Sequence, residues 1–474
     1  MISNSCLLTP PTSDAVAVAA TPIAATPIAA LTPSQKQVID LLSQGHNVFL
    51  TGGAGVGKSH VLKTVIDVMR ARRMKIIVTA STGVAATLLG GVTLHSMIGL
   101  GLAQEPLVVL LNKARRSAKL RERWRLVDLL IIDECSMLHP DFFDLTDQVL
   151  RVVRSSDKPF GGVQLLLSGD FFQLPPVMAP GRDASLAMFI FQTQSWSGAE
   201  FTIVNLVDIF RQVGELAGIL SRVRRAEHTL DDIVVLVGRV NASLDLPIGI
   251  EPTRMYSHKV CVDVINSSKL QELVSETHVF TGRVFTEIDM TPPRVPRMQP
   301  MSRAQKEAVL NEARLQISRN VPVPVEQELR VGAQVMLVVN LDQESGLVNG
   351  SRGVITGFRT NRNAGGIMPV VQFTGSEMVL SLHVWKHEIH GAGVVCYMQI
   401  PLRLAWAVTI HKAQGLSLDY VEMKLDRSVF ECGQSYVALS RVRTLKGLRL
   451  TGFDPSAIRV HPLVKQFYDA LEVY

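Results

Sequence analysis

Residues 47–59 read Asn47-Val48-Phe49-Leu50-Thr51-Gly52-Gly53-Ala54-Gly55-Val56-Gly57-Lys58-Ser59. The first five are apolar or β-prone and predict a strand; the next eight have the pattern of a phosphate-binding loop. Its glycines let successive backbone N–H groups turn inward on phosphates. Lys58 is placed to reach β and γ oxygens, and the Ser59 hydroxyl to hold Mg²⁺. The following run, His60-Val61-Leu62-Lys63-Thr64-Val65-Ile66, predicts a helix whose positive N-terminal end adds to the site. Gly52, Gly53, Ala54, Gly55, Val56, Gly57, Lys58 and Ser59 are therefore the expected nucleotide pocket.

Working outward, apolar runs at 48–50, 76–80, 129–132 and 164–167 alternate with helical stretches, the pattern of a parallel α/β sheet. A second α/β segment starts near Val204. Beyond Leu329, short β-rich pieces at 334–339, 370–373 and 379–382, with a turn signal at Asn349-Gly350, predict a small barrel-like insertion before α/β resumes near Leu402. The expected division is a tail at 1–30, a first domain at 31–202 and a second at 203–474, interrupted by the insertion at about 330–402.

With 474 residues and 47% hydrophobic content, the chain can build more than one core. Its uncharged stretch at 15–35 is broken by Pro22, Pro27 and Pro33, so no membrane span is expected. Cys6, Cys135, Cys261, Cys396 and Cys432 lie far apart, without the paired spacing of a zinc site or disulfide framework, which points to a reducing compartment. The first 30 residues, with Ala-Ala-Thr-Pro-Ile repeated at 19–28, predict disorder. No Lys or Arg precedes Lys36, which argues against a mitochondrial leader and favours the nucleus, with the mitochondrion as the alternative. A net charge of +6 leans toward anionic partners. The densest basic run, 113–125, reads either as a solvated helix face or as a phosphate-tracking surface.

Five further clusters carry chemistry. Leu130-Ile131-Ile132-Asp133-Glu134 puts two carboxylates at the end of a buried strand: Asp133 suits Mg²⁺, and Glu134 suits orienting or deprotonating a water. Gly169-Asp170-Phe171-Phe172-Gln173-Leu174-Pro175-Pro176 reads as loop punctuation, or as a sensor whose Gln173 amide feels the γ-phosphate. Arg211 and Arg441, in the second α/β unit, are either surface salt-bridge partners or charges that reach across a cleft to the same phosphate. Thr409-Ile410-His411-Lys412-Ala413-Gln414-Gly415 and Thr93-Leu94-His95-Ser96 mix donors that suit the phosphate oxygens of a strand or a nucleotide, a lone histidine otherwise being structural.

Together with Leu31-Thr32-Pro33-Ser34-Gln35, Ala80-Ser81-Thr82-Gly83-Val84-Ala85-Ala86, Pro159 to Gln164, Phe210-Arg211-Gln212, Val331 to Leu337 and Gln434-Ser435-Tyr436-Val437-Ala438-Leu439-Ser440-Arg441, these motifs, in this order, resemble the Pif family of superfamily 1 DNA helicases, relatives of RecD. The resemblance covers about 31–453. It implies two RecA-like P-loop NTPase domains, a small wedge element in the first and an SH3-like β-barrel insertion in the second. It implies that Gln35 contacts adenine, that Lys58, Asp133, Glu134, Gln173, Arg211 and Arg441 are catalytic, and that Gly415 belongs to the ATP site. Thr82, Thr93, His95, Thr409, His411 and Lys412 would touch single-stranded DNA. So would Gln434, Ser435, Tyr436, Val437, Ser440, Arg443, Lys446 and Phe453, from a segment assigned to DNA binding in the family. The implied activity is ATP-Mg²⁺-driven 5′ to 3′ translocation by a monomer. Its substrates would be single strands, forks, G-quadruplexes and RNA–DNA hybrids, in replication, repair, recombination and telomere maintenance. Gly53 and Val56 depart from the family's usual loop residues, and 277–324 matches only loosely. The alternative is a DNA-stimulated ATPase that remodels protein–DNA complexes without processive unwinding.

Overall fold

The computed structural model describes residues 31–100, 105–177, 188–212, 214–246, 251–288, 302–342, 347, 349–361, 366–373, 376–389 and 393–471. The tail expected at 1–30 lies outside the described residues.

The first sheet is parallel and six-stranded, ordered Val92–Thr93, Ile76–Ala80, Leu129–Asp133, Gln164–Ser168, Val48–Gly52, Thr202–Leu206. Every residue of Leu129–Asp133 and Val48–Gly52 is buried, which is why these strands read as continuous rather than alternating apolar runs. One face carries the helices Pro33–Ser43 and Lys58–Ala71, whose Val38, Leu42, Val61, Leu62 and Val65 pack on Val48, Leu50, Ile131 and Leu166. The other face carries Pro140–Arg154, with Phe143, Leu150, Trp124 and Phe160 in its core. Because side chains alternate along each strand, Phe49, Leu130, Leu165 and Leu167 point to this second face.

The second sheet is also parallel: Ala407–Thr409, Thr253–Tyr256, Val421–Leu425, Leu448–Phe453. Just past the carboxyl ends of Leu129–Asp133 and Ala407–Thr409 the two units meet, Gln414 bonding Glu134, in the kind of place where open α/β folds bind their ligands.

Three boundaries differ from the sequence reading. Thr202–Leu206 pairs along its whole length with Val48–Gly52, so the first domain's sheet runs past residue 202. The helix Pro462–Leu471 leaves the second domain and returns to the first, burying Val464 and Tyr468 in its core. There the Tyr468 hydroxyl bonds the Thr51 hydroxyl at 2.6 Å, and Phe467 stacks on Phe191 with ring centroids 4.4 Å apart. The β-rich insertion is also larger than 330–402. Its five-stranded sheet, built from 334–337, 352–361, 366–373, 376–379 and 402–404, is accompanied by a three-stranded sheet that recruits Arg283–Ile288 against Gly393–Gln399. The pair His278–Thr281 and Glu326–Leu329 and the helix Arg303–Asn320 complete it. Among the described residues, no helix is long and apolar enough to cross a membrane.

Candidate active site

Strand Val48–Gly52 ends in the glycine loop, and helix Lys58–Ala71 leaves it. Gly55 and Gly57 have φ of +83° and +90°, a region that disfavours any side chain. Space is equally restrictive: a Cβ at Gly55 would lie 2.7 Å from Arg211 Cβ and from Gln212 Oε1. The backbone cradle and the second-domain segment around Arg211 are thus built against each other, and the Phe210 N–H donates to Gly55 O at 2.9 Å.

The Lys58 ammonium donates to Gly52 O at 2.7 Å and Gly53 O at 3.0 Å. Burial lowers its pKa, opposed by Asp170 and Glu134. Ser59 is exposed at the helix start. Asp133 is buried and accepts from the Glu134 N–H at 2.9 Å. Glu134 has a left-handed backbone, φ 52°, that ends its strand, and its carbonyl accepts from Ser81 Oγ at 2.7 Å. A strained backbone of this kind persists only where its surroundings hold it. Burial raises both acids, and with Asp133 adjacent Glu134 is pushed up to about 7. One hydroxyl and one carboxylate are a thin protein ligand set, but Mg²⁺ at phosphate sites takes its other oxygens from phosphate and water, so Ser59 and Asp133 fit it.

Gln35 is buried beside the end of the glycine loop. In the capping box of Pro33–Ser43 its Oε1 accepts from Thr32 N at 3.1 Å, and its Nε2 would be 2.9 Å from a Cβ on Gly57.

From the second domain come the two arginines. Arg441 is almost fully buried; its guanidinium donates to Val437 O at 2.9 Å and Ser440 Oγ at 2.6 Å. Burial, then the charge of Arg211, push it down to about 9, so it stays charged at neutral pH. Burial lowers the pKa of Arg211 as well, and the charges of both arginines act on Glu134. Among the described residues neither has an ion-pair partner. Gln212 ties them together by donating to Ser440 O at 2.7 Å.

Two residues at the centre carry no individual role in the sequence reading. Gln414 Nε2 donates to Glu134 Oε2 at 2.8 Å and faces Gln173 Oε1 at 3.5 Å, while Gln173 Nε2 donates to Asp170 Oδ2 at 3.3 Å. A chain of amides therefore joins the acid to the sensor loop across the cleft. Arg224 is the second. It grips the fully buried Asp170 with Nη2 at 2.8 Å and Nε at 3.1 Å, and lies over the Phe172 ring at 4.6 Å. Burial disfavours its charge, but Asp170 outweighs this and raises its pKa. Arg224→Ala strands that carboxylate, so we expect a loss of about 3–5 kcal/mol, read as a lower urea midpoint. An unchanged midpoint would show that Asp170 finds another partner.

The DNA-contact set separates. Thr82, Thr93 and Thr409 are each helix N-caps, accepting from Ala85 N, Ser96 N and Lys412 N at 3.3, 3.3 and 3.1 Å. A hydroxyl that accepts in this way keeps its own proton to donate. His95 stacks on Phe142 at 3.7 Å and 9°, and burial lowers its pKa. His411 is half-buried; Lys412 and Gly415 are exposed. Burial, then Arg403 and Lys259, lower the pKa of Lys412, which marks a basic cluster there. Thr409 is buried, and so are Gln434, Ser435, Tyr436, Val437 and Ser440, every residue of the short helix Gln434–Leu439 being enclosed. Gln434 accepts from Phe430 N at 3.2 Å, Ser435 donates to Ala457 O at 2.6 Å, and the Tyr436 hydroxyl accepts from Ala54 N at 2.7 Å. Enclosed in this way, these five offer a strand no exposed surface, and of them Tyr436 reaches the phosphate loop. Of that segment Arg443 and Phe453 are partly exposed and Lys446 is exposed. The basic run lies on the helices Leu107–Arg116 and Ala118–Trp124, with Leu110, Ala114, Leu120 and Trp124 inward and Arg115, Arg116 and Arg121 in solvent.

Residues 30–239 match the PIF1-like helicase family, and residues 315–358 match the 2B domain of the DNA helicase Pif1. The chain is 39% identical over 447 residues to the ATP-dependent DNA helicase PIF1 of Xenopus laevis, covering 93% of this chain and 64% of that protein. It therefore spans slightly less than two thirds of that relative. The fold is similar to that of Bacteroides sp Pif1 in complex with ADP-AlF4, with TM-score 0.75, 31% identity, and coverage of 94% of this chain and 97% of that one. It is also similar to Bacteroides Pif1 bound to ssDNA, with TM-score 0.61, 30% identity and the same coverages.

Proposed function

We propose, from the premise that the chain belongs to the PIF1-like helicase family, that it is an ATP-driven motor moving 5′ to 3′ on single-stranded DNA and unwinding duplexes and forks. One observation carries the reading: acid, lysine and sensor come from one RecA-like domain, while Arg211, Arg441 and Gln414 come from the other, so the catalytic set is complete only when the cleft is closed. ATP with Mg²⁺, when bound, supplies the phosphoryl group and the charge that draw the domains together. Ser59 and Asp133 would hold the metal, Lys58 would leave its loop carbonyls for phosphate oxygens, and Gln35 would meet the adenine. Glu134, kept basic enough by its burial, would orient a water and take its proton. Arg211 and Arg441 would stabilise charge that develops at the transition state. Gln414 and Gln173 would report the event to the DNA grips.

Those grips are Thr82, Thr93 and His95 on one domain and His411 and Lys412 on the other, with Thr409 buried behind them as their helix cap; Arg443, Lys446 and Phe453 would extend the second. Alternating grip advances the strand, and the direction rests on the resemblance to the Pif family. The basic helices would form the wedge, and Val108, 70% exposed, would meet the duplex end. A relative bound to ssDNA supports the partner, and nuclear action on forks, G-quadruplexes or RNA–DNA hybrids by a monomer belongs to the same reading. The test is ATP turnover with and without single-stranded DNA across a salt series. Turnover should rise with the strand, and strand affinity should fall steeply with salt as counterions are released. Turnover indifferent to DNA would contradict the proposal.

A further inference from the structure

We propose that Tyr436 gates the phosphate loop: its hydroxyl, carried by the second domain, holds the Ala54 N–H that a phosphate oxygen needs, so nucleotide entry must displace it. The inference rests on the reading of residues 52–59 as a nucleotide site. The N–H to Oη distance is 2.7 Å, and a Cβ on Gly53 would lie 3.2 Å from the same oxygen, so the tyrosine hydroxyl sits against two successive residues of the loop. The residue is buried, and its ring belongs to the second domain's core. Burial, reinforced by Asp170, raises its pKa to about 12, so the hydroxyl stays neutral at any working pH. A neutral hydroxyl is a weaker acceptor than an anionic phosphate oxygen, so the contact can yield to nucleotide.

The place of Tyr436 gives this exchange a consequence. Its helix, Gln434–Leu439, leads directly into Ser440, whose carbonyl holds Gln212, and into Arg441. At its other end Gly433 abuts the sensor loop so closely that a Cβ would lie 2.5 Å from the carbonyls of Phe172 and Gln173. Displacing Tyr436 therefore shifts a rigid piece that carries the finger and touches the sensor. Tyr436 is a positioning residue that links phosphate entry to where Arg441 stands.

The test is Tyr436→Phe in the full chain, which keeps the ring and removes the hydroxyl. Titrations would use ADP and, separately, adenosine. Removing a competing internal hydrogen bond should tighten ADP by about threefold to tenfold. Adenosine affinity should not change, because adenosine makes no claim on the Ala54 N–H. Amide exchange at Ala54 without nucleotide should speed up, a readout independent of turnover. Unchanged or weaker ADP binding by a variant that melts like the parent would overturn the gate. Equal tightening of adenosine would do the same, since it would mean a general loosening of the cleft. Failure of the parent protein itself to bind ADP would overturn the nucleotide reading on which the gate depends.

Discussion

Lys58→Ala is expected to abolish ATP turnover, a fall of at least about a thousandfold, while single-strand binding survives. The ammonium is held by the Gly52 and Gly53 carbonyls, within the electrostatic reach of Asp170, Glu134 and Asp133. No other lysine contacts that loop among the described hydrogen bonds. Alanine leaves the phosphates facing carboxylates with no cation from the loop's own domain, and charge developing on the β and γ oxygens goes unopposed. The proposed DNA grips lie on other segments, around 82–95 and 409–412, and keep their donors. Steady-state turnover and strand binding, measured on the same preparation, separate the two effects. Normal turnover would remove Lys58 from the site.

Arg441→Ala should lower turnover by about 10³-fold or more and alter nucleotide affinity far less. The guanidinium is buried beside Arg211 at a cost that pushes its pKa down to about 9, and its charge acts on Glu134. A charge held against that cost is expected to act where new negative charge appears, that is, in the transition state. The sign of the pKa effect also bears on stability. A guanidinium whose pKa falls on folding opposes folding, fully below about pH 9 and less as pH rises toward 12.5, so alanine removes that cost together with the bonds to Val437 O and Ser440 Oγ. Arg441→Lys keeps a charge but loses the fork that reaches Val437 O and Ser440 Oγ, and should fall between parent and alanine. Equal losses in kcat and in nucleotide binding would make Arg441 a ground-state ligand instead.

The parallel sheets and the glycine loop were legible in the chain because buried parallel strands are continuous apolar runs, and because a loop that turns N–H groups inward needs glycine at fixed places. The place of Asp133 and Glu134 at the end of a buried strand was legible in the same way, as an apolar run that stops at two acids. What could not be read is what comes from distant segments. Asp170 looks like loop punctuation until Arg224 is brought against it, and Tyr436 looks like part of a DNA segment until its hydroxyl is found on Ala54. Gln414 stood inside a run already singled out for its donors, yet spacing alone does not say that its amide faces Glu134. The return of Pro462–Leu471 to the first domain had a partial signal in its amphipathic Leu463, Val464, Phe467 and Tyr468, but not an address. Arg283–Ile288 alternates inward and outward like an edge strand; its partner, Gly393–Gln399, lies more than a hundred residues away, beyond any local pattern.

The most direct test of the account is unwinding of matched duplexes that carry either a 5′ or a 3′ single-stranded tail, each with and without ATP-Mg²⁺. A motor whose two domains close on nucleotide while gripping one strand should open the 5′-tailed duplex only when ATP is present, and leave the 3′-tailed one closed. ATP-dependent opening of the 3′-tailed duplex alone would reverse the assigned direction. Hydrolysis without opening of either duplex would contradict the helicase itself and leave an ATPase that remodels protein–DNA complexes.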